Sequence, residues 1–316
     1  MDIANKKVYY PGICALRLEW PAEQSVNYSV VINFDEEQEN NEVKYQLRLT
    51  RLKPVVEGQA LFQIERISDV FINETLPDFI ADRLAYAAGK VFYPLVIAVD
   101  HNGGFESIYN HKEILNRWPS VRNKILNDFE GGLVEDYLLK MEQQLSSQDN
   151  IQIAFLNNDW FLHTFFRPIY KEYGRNHSIE NVYKFPIARD FKIEGYQTIE
   201  KLSAETNDFG GIELLHDGKI LPLDDEYIEH KAEGNYEGYY LLHPKSKRIV
   251  SLFSSVTFKE VVKTSVSVKI SIIPDGNEEF DHDFILDTNI DHLPVSDMVI
   301  LDGSSRKGFW ERLFNK

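Results

Sequence analysis

His282 and His292 stand among seven carboxylates: Asp275, Glu278, Glu279, Asp281, Asp283, Asp287 and Asp291. Imidazole and carboxylate groups at close spacing can converge on one cation, so this stretch is the richest candidate for metal chemistry. Its detail argues otherwise. The run Asp275-Gly276-Asn277-Glu278-Glu279 has its glycine second, where a calcium-binding EF-hand loop needs it sixth. A solvated acidic segment is the expectation, with no metal ligand set. His101 beside Asp100, and His111 near Tyr109, flank Asn102-Gly103-Gly104, whose residue types make a tight turn before they make a phosphate cradle. Cys14 is the one cysteine and sits in the apolar run Ile13-Cys14-Ala15-Leu16, with no neighbouring base to generate a thiolate. A small buried hydrophobe is the expectation there. The chain has no dinucleotide fingerprint, Walker loop, nucleophile elbow or HExxH zinc motif. No catalytic residue and no cofactor are expected.

Two aromatic groupings offer binding chemistry instead. Trp160, Phe161, Phe165 and Phe166 can line an apolar ligand pocket, or can fill the core beneath a helix. The second grouping is the C-terminus. From Asp275 to Asp302 there are nine acids and no lysine or arginine. Gly303 to Gly308 then reads as a flexible tether. Beyond it Phe309, Trp310, Leu313 and Phe314 fall on one face of a short helix, and Arg306, Lys307, Arg312 and Lys316 oppose a single acid, Glu311. A basic, aromatic, amphipathic tip on an acidic body suits docking on a protein partner, with Phe309, Trp310, Arg312, Leu313 and Phe314 as the contacts. Folding back on its own domain and membrane-surface contact are the other readings of the tip.

The elements that must position these residues come from periodicity. Leu16, Leu18 and Trp20 alternate with polar residues, as do Tyr28 to Phe34 and Val43 to Leu49, which predicts strands. The acidic run 35–42 is the expected solvated hairpin loop between the last two. Ala60 to Ile67 is a further strand. Residues 76–88 predict a helix whose inward face is Phe79, Ile80, Leu84 and Ala87. Leu95 to Val99 leads into the Asn-Gly turn. Residues 110–173 predict a helical block: one helix to Trp118, a second opened by Pro119, a third with Leu133, Tyr137, Met141 and Leu145 in step and Val134 and Leu138 beside them, then the aromatic stretch. In the second half, His216-Asp217-Gly218-Lys219 predicts a hairpin turn. Tyr239 to Phe253 predicts another hairpin, and Val262 to Ile272 a strand with one wet and one buried face.

Strands, then helices, then strands predict an α+β fold. The sheet is a long antiparallel meander, of a length that can curve into a half-barrel, packed on a central helical block. Residues 1–302 are expected to form one domain, with 303–316 as tether and tip. This element order over residues 26–110 and 182–273, with the hairpin run from Glu237-Gly238-Tyr239-Tyr240 to Ser251, resembles the curved half-barrels of the LolA/LolB-like lipoprotein carriers and related bacterial domains of unknown function. The resemblance implies fold only, and no functional residue carries over from it.

Composition bounds the function. The 316 residues are 43% hydrophobic, enough for a substantial core. The net charge of −16 repels phosphate backbones, so nucleic acid is not an expected partner. No eighteen-residue apolar window exists, so no transmembrane segment is expected. The N-terminus Met1-Asp2-Ile3-Ala4-Asn5-Lys6-Lys7 has no following signal-like apolar region, and with one cysteine the expectation is a cytoplasmic protein of bacterial type. The leading functional expectation is a non-enzymatic scaffold docking a protein partner through its tip. The alternatives are an apolar-ligand or peptide module with its pocket between sheet and aromatic helices, and an enzyme without a recognisable motif.

Overall fold

The computed structural model describes residues 14–36, 39–54, 59–186, 193–207, 210–222, 232–259 and 262–274. The chain runs β1 (Cys14–Ala15), β2 (Ser25–Glu36), β3 (Glu39–Leu52), β4 (Ala60–Arg66), β5 (Phe71–Ile72) and α1 (Ile80–Gly89). A short 3-10 turn (Lys90–Phe92) leads to β6 (Leu95–Val99) and β7 (Phe105–Ile108). The helices α2 (His111–Asp128), α3 (Gly132–Leu145), α4 (Gln148–Asn158) and α5 (Trp160–Phe165) follow. The rest is strand: β8 (Glu172–Tyr173), β9 (Ser178–Tyr183), β10 (Ile193–Leu202), β11 (Ile212–Pro222), β12 (Asn235–Leu242), β13 (Ile249–Lys259) and β14 (Lys263–Ile272).

Twelve of these strands form one open antiparallel sheet in the order β7-β6-β4-β3-β2-β14-β13-β12-β11-β10-β9, with β5 beside β3. The expected α+β class with a dominant meandering sheet is what the structure has. The last strand, β14, pairs along its length with the first long one, β2, so the two halves of the chain share a sheet across the Val268↔Ile32 register. The inner face follows from the period of two. Val26, Tyr28, Val30 and Ile32 are buried on β2, and Val266, Val268, Ile270 and Ile272 on β14. Burying a Val or Ile side chain of this kind stabilises by about 1.5–3 kcal/mol. The helical block packs on this face through α5, where Phe165 meets the Tyr28 ring edge-on at 5.1 Å between centroids.

Several local expectations are corrected. His216 to Lys219 are not a turn but the middle of β11, paired on both sides with β10 and β12. Gly218 is there for close approach: a Cβ would stand 2.7 Å from Thr198 Oγ1 on β10. The acidic loop 35–42 is mostly strand, since Glu36 already pairs with Glu39. Residues 16–20 are irregular, not a strand, although Leu16 and Trp20 are buried. Pro119 does not open a new helix; it lies inside the continuous α2. The helices end at Phe165, before the expected 173. On α1 the buried residues are Asp82, Leu84, Ala85 and Ala88, and Phe79 and Ile80 face solvent. On α3 the buried stripe is Val134, Leu138, Met141 and Leu145, and Leu133 is exposed. Cys14 is half-buried, and burial pushes its thiol up, away from the thiolate.

The Asn-Gly hairpin is present between β6 and β7. Asp100 Oδ1 accepts from the backbone N–H of Asn102 and Gly104, each at 2.8 Å, and Gly103 adopts φ +87° against the Tyr170 ring. At β7 the sheet ends, but its outer edge is covered. Gln148 and Gln152, one turn apart on α4, donate to the carbonyls of Ile108 at 2.7 Å and Glu106 at 3.0 Å, and Phe105 N–H donates to Phe166 O at 3.1 Å. At the other end, no backbone group among the described residues pairs with the outer edge of β9.

Candidate functional site

Between the inner face of β2, β3 and β4 and the helices α1, α3 and α4 lies a partly open cavity of about 130 Å³. Its floor is sheet: Ile32, Phe34, Val43 and Tyr45 alternate inward from two paired strands. Its walls are helical. Ala85 and Gly89 of α1 and Ala154 of α4 are small, which leaves the space, and Tyr137, Met141 and Phe155 close it. Phe92 and Phe155 fix one wall by an edge-on contact at 5.1 Å.

One corner of the cavity is polar. Arg66 lies over the Tyr93 ring at 4.5 Å and near the Tyr45 ring at 5.6 Å, and it donates from Nη2 to Tyr93 Oη at 3.2 Å. Asp159, beside it, caps α5 by accepting from Leu162 N–H at 2.8 Å. Burial raises the Asp159 carboxyl, against that hydrogen bond and the pull of Arg66. Burial also raises the phenols of Tyr45 and Tyr93, so they are neutral donors and acceptors at ordinary pH. The result is an apolar space with a cation and several phenols at one end, the makeup expected of a ligand pocket.

A second, sealed group lies on the inner face of β9 to β12. Glu200 of β10 is 0% exposed, and His216, its partner across β11, is 3% exposed. Lys171 reaches both Glu200 oxygens, at 2.9 Å to Oε1 and 2.8 Å to Oε2. Asn181 donates to Oε1 at 2.5 Å, Tyr183 donates to the same oxygen, and Tyr173 donates to Oε2 at 3.3 Å. His216 Nδ1 stands 3.0 Å from Tyr236 Oη. Gly238 lets that phenol in, because a Cβ there would stand 2.5 Å from it. Burial first, and Arg167 and Lys171 second, hold His216 well below the usual imidazole range, so it is neutral. A neutral Nδ1 accepting from Tyr236 leaves the proton on Nε2, facing Glu200 Oε2 at 3.9 Å. A histidine, a carboxylate and phenols in reach of one another resemble acid–base machinery. Here the carboxylate and imidazole are closed off from solvent; the network satisfies both Glu200 oxygens, and His216 Nε2 is buried without a hydrogen-bond partner among the described residues.

Of the aromatic residues singled out in the sequence, Trp160 lines the 130 Å³ cavity. Phe161 and Phe165 stack on each other at 5.2 Å within the core, and Phe166 packs edge-on against Phe62 at 5.4 Å. Phe166 also lines a second cavity beside Arg167. Phe309, Trp310, Arg312, Leu313 and Phe314 of the tip, and His282 and His292, lie outside the described residues. Among the described residues, no three His, Cys, Asp or Glu side chains gather to hold a metal ion. Also among them, no helix is long and apolar enough to cross a membrane. Sequence reasoning missed Arg66, Asp159, Glu200 and His216. For the last two a signal existed: Thr198, Glu200 and Leu202, like Leu214 and His216, keep the strand's inward parity.

No family model matches the chain, and no curated protein does. The resemblance to LolA/LolB-like carriers therefore has no sequence match behind it. Among solved structures the chain is similar to lipovitellin, in a structure of lipid–protein interactions, with a TM-score of 0.42 and 11% identity. That match covers 84% of this chain, which spans only 26% of the lipovitellin chain. A likeness this distant carries no argument about the ligand.

Proposed function

We propose that the protein is a binding module that takes an apolar ligand, or the apolar end of one, between its sheet and its helices. The observation that carries this reading is the 130 Å³ space lined by Phe34, Tyr45, Tyr137, Phe155 and Trp160, with Arg66 at its corner. A close-packed interior has few voids larger than a water molecule, so a partly open apolar space of this size is a feature to explain. Apolar cavities of about 150 Å³ stay dry and take up benzene, which sets the scale of the group that fits. Arg66 and the phenols would orient a polar end.

Titration with benzene or indole, read as a saturable rise in melting temperature, tests this. A ligand at a hundredfold excess over its Kd stabilises by about 2.7 kcal/mol. Ala154→Phe, which fills the cavity from the half-buried face of α4, is expected to abolish the shift. No saturable shift with either probe, or an equal shift in Ala154→Phe, rules the reading out. The docking reading of the C-terminal tip has its support in the sequence pattern of residues 303–316 alone.

A further inference from the structure

A different cavity, of about 240 Å³, opens beside the sealed cluster, and Arg167 lines it together with His163, Phe166, Tyr183, Lys184 and Asp100. Arg167 is 3% exposed. Its guanidinium lies over three rings, Tyr183 at 4.0 Å, Phe185 at 4.5 Å and Tyr236 at 5.1 Å. Nε and Nη2 donate to His163 O at 3.3 and 3.2 Å, and Nη1 is buried without a partner. A buried arginine ordinarily has a carboxylate facing it, because an uncompensated buried charge costs several kcal/mol.

The carboxylate that faces this cluster is taken. Glu200 is held by Lys171, Asn181, Tyr173 and Tyr183, and His216 beside it is neutral, so one anion stands against two cations. Asp100, also in the cavity wall, spends Oδ1 on the N–H groups of its own turn. Lys184 adds a further cation at the wall, on a molecule whose net charge is −16. Three faces of aromatic ring offset part of the cost of the arginine, but they leave Nη1 without an acceptor.

We infer that this cavity binds an oxyanion, a carboxylate or phosphate group, with Arg167 as the buried donor and Lys184 as the outer one. Guanidinium is suited to planar and tetrahedral oxyanions, and it is less heavily hydrated than ammonium. The apolar part of the wall, including Phe166, accommodates a small organic body behind a carboxylate.

The test is titration of the full chain with inorganic phosphate, acetate and benzoate at fixed ionic strength, read by calorimetry. A saturable isotherm is expected for at least one of the three. Stronger binding of benzoate assigns an organic carboxylate, and stronger binding of phosphate assigns a phosphate group. Arg167→Met is expected to weaken binding by at least about tenfold, from the loss of a charge-assisted hydrogen bond. Because Arg167→Met also disturbs the core, Lys184→Glu serves as the second variant: it changes an exposed residue and is expected to weaken the same isotherm while leaving the melting temperature unchanged. Ala154→Phe, in the other cavity, is expected to leave it intact. Three flat titrations overturn the assignment, and so does binding that persists unchanged in Lys184→Glu.

Discussion

Val268 sits at the centre of the inner face, 0% exposed, with Ser254 and Ile32 as its cross-strand neighbours. Val268→Asp puts an unpaired carboxylate there, and we expect a loss on the order of 3 kcal/mol or more, read by denaturant unfolding. A midpoint near that of the wild type would mean that the inward face has been misassigned. His216 gives a pH signature. Its folded pKa is depressed, so its contribution is present above the unfolded value of about 6.5 and is lost as pH falls through that value, where only the unfolded chain takes the proton. The slope from this one group reaches about 1.4 kcal/mol per pH unit. Unfolding measured between pH 7 and pH 5 should therefore fall less steeply for His216→Phe than for the wild type. Equal slopes would show that His216 takes up its proton at the same pH in the fold as in the unfolded chain. At this scale the sequence was a mixed guide. The parity of Val266, Val268 and Ile270 was legible, because an alternating apolar run has one way to face a core. Glu200 and His216 were not legible as a pair, since their strands are adjacent only once the sheet is formed. Asp217-Gly218 looked like a turn because those residue types serve close packing as well as they serve turning.

At the level of elements, α2 holds Pro119 in its interior, although the residue has no N–H to donate to the carbonyl of Leu115. Pro119→Ala is expected to restore that bond and to raise stability by about 1 kcal/mol or more, after allowing for the freer unfolded chain. A drop in the unfolding midpoint would instead show that the helix needs its proline for the way it meets α1 and α3. The hairpin of β6 and β7 depends on Gly103, whose positive φ and contact with Tyr170 leave no room for a side chain. Gly103→Ala should cost about 1–3 kcal/mol by thermal unfolding, and a neutral result would mean that the turn can relax. Long elements were readable from periodicity: β2, β3, β14 and the existence of the helical block. Faces were less so. On α3, Leu133 and Tyr137 keep a four-residue step with Met141, but a helix has 3.6 residues per turn, and the stripe that packs is the one beginning at Val134. The cavity was legible only through Trp160: the space itself lies where Ala85, Gly89 and Ala154 fail to fill it, and smallness at three distant positions has no pattern.

The whole molecule carries a net charge of −16, and self-repulsion of that size disfavours the compact state. Raising sodium chloride from about 0.05 to 0.5 M shortens the screening length several-fold, so the melting temperature should rise. A falling curve would mean that partly exposed pairs such as Arg122 with Glu142 outweigh the repulsion. The sheet as a whole is asymmetric at its ends. Gln148 and Gln152 occupy the outward carbonyls of β7, whereas the outer edge of β9 has no such cover among the described residues. A polymer grows only from a unit with two reactive ends, and the described residues leave one such edge open. Backbone pairing of β9 with β9 of a second copy uses up both free edges at once and terminates. Among the described residues the sheet is monovalent, and association through that edge alone stops at a pair. Removing the two glutamines of α4 would free the outward carbonyls of Ile108 and Glu106 and leave only the Phe105 bond to Phe166 over that edge.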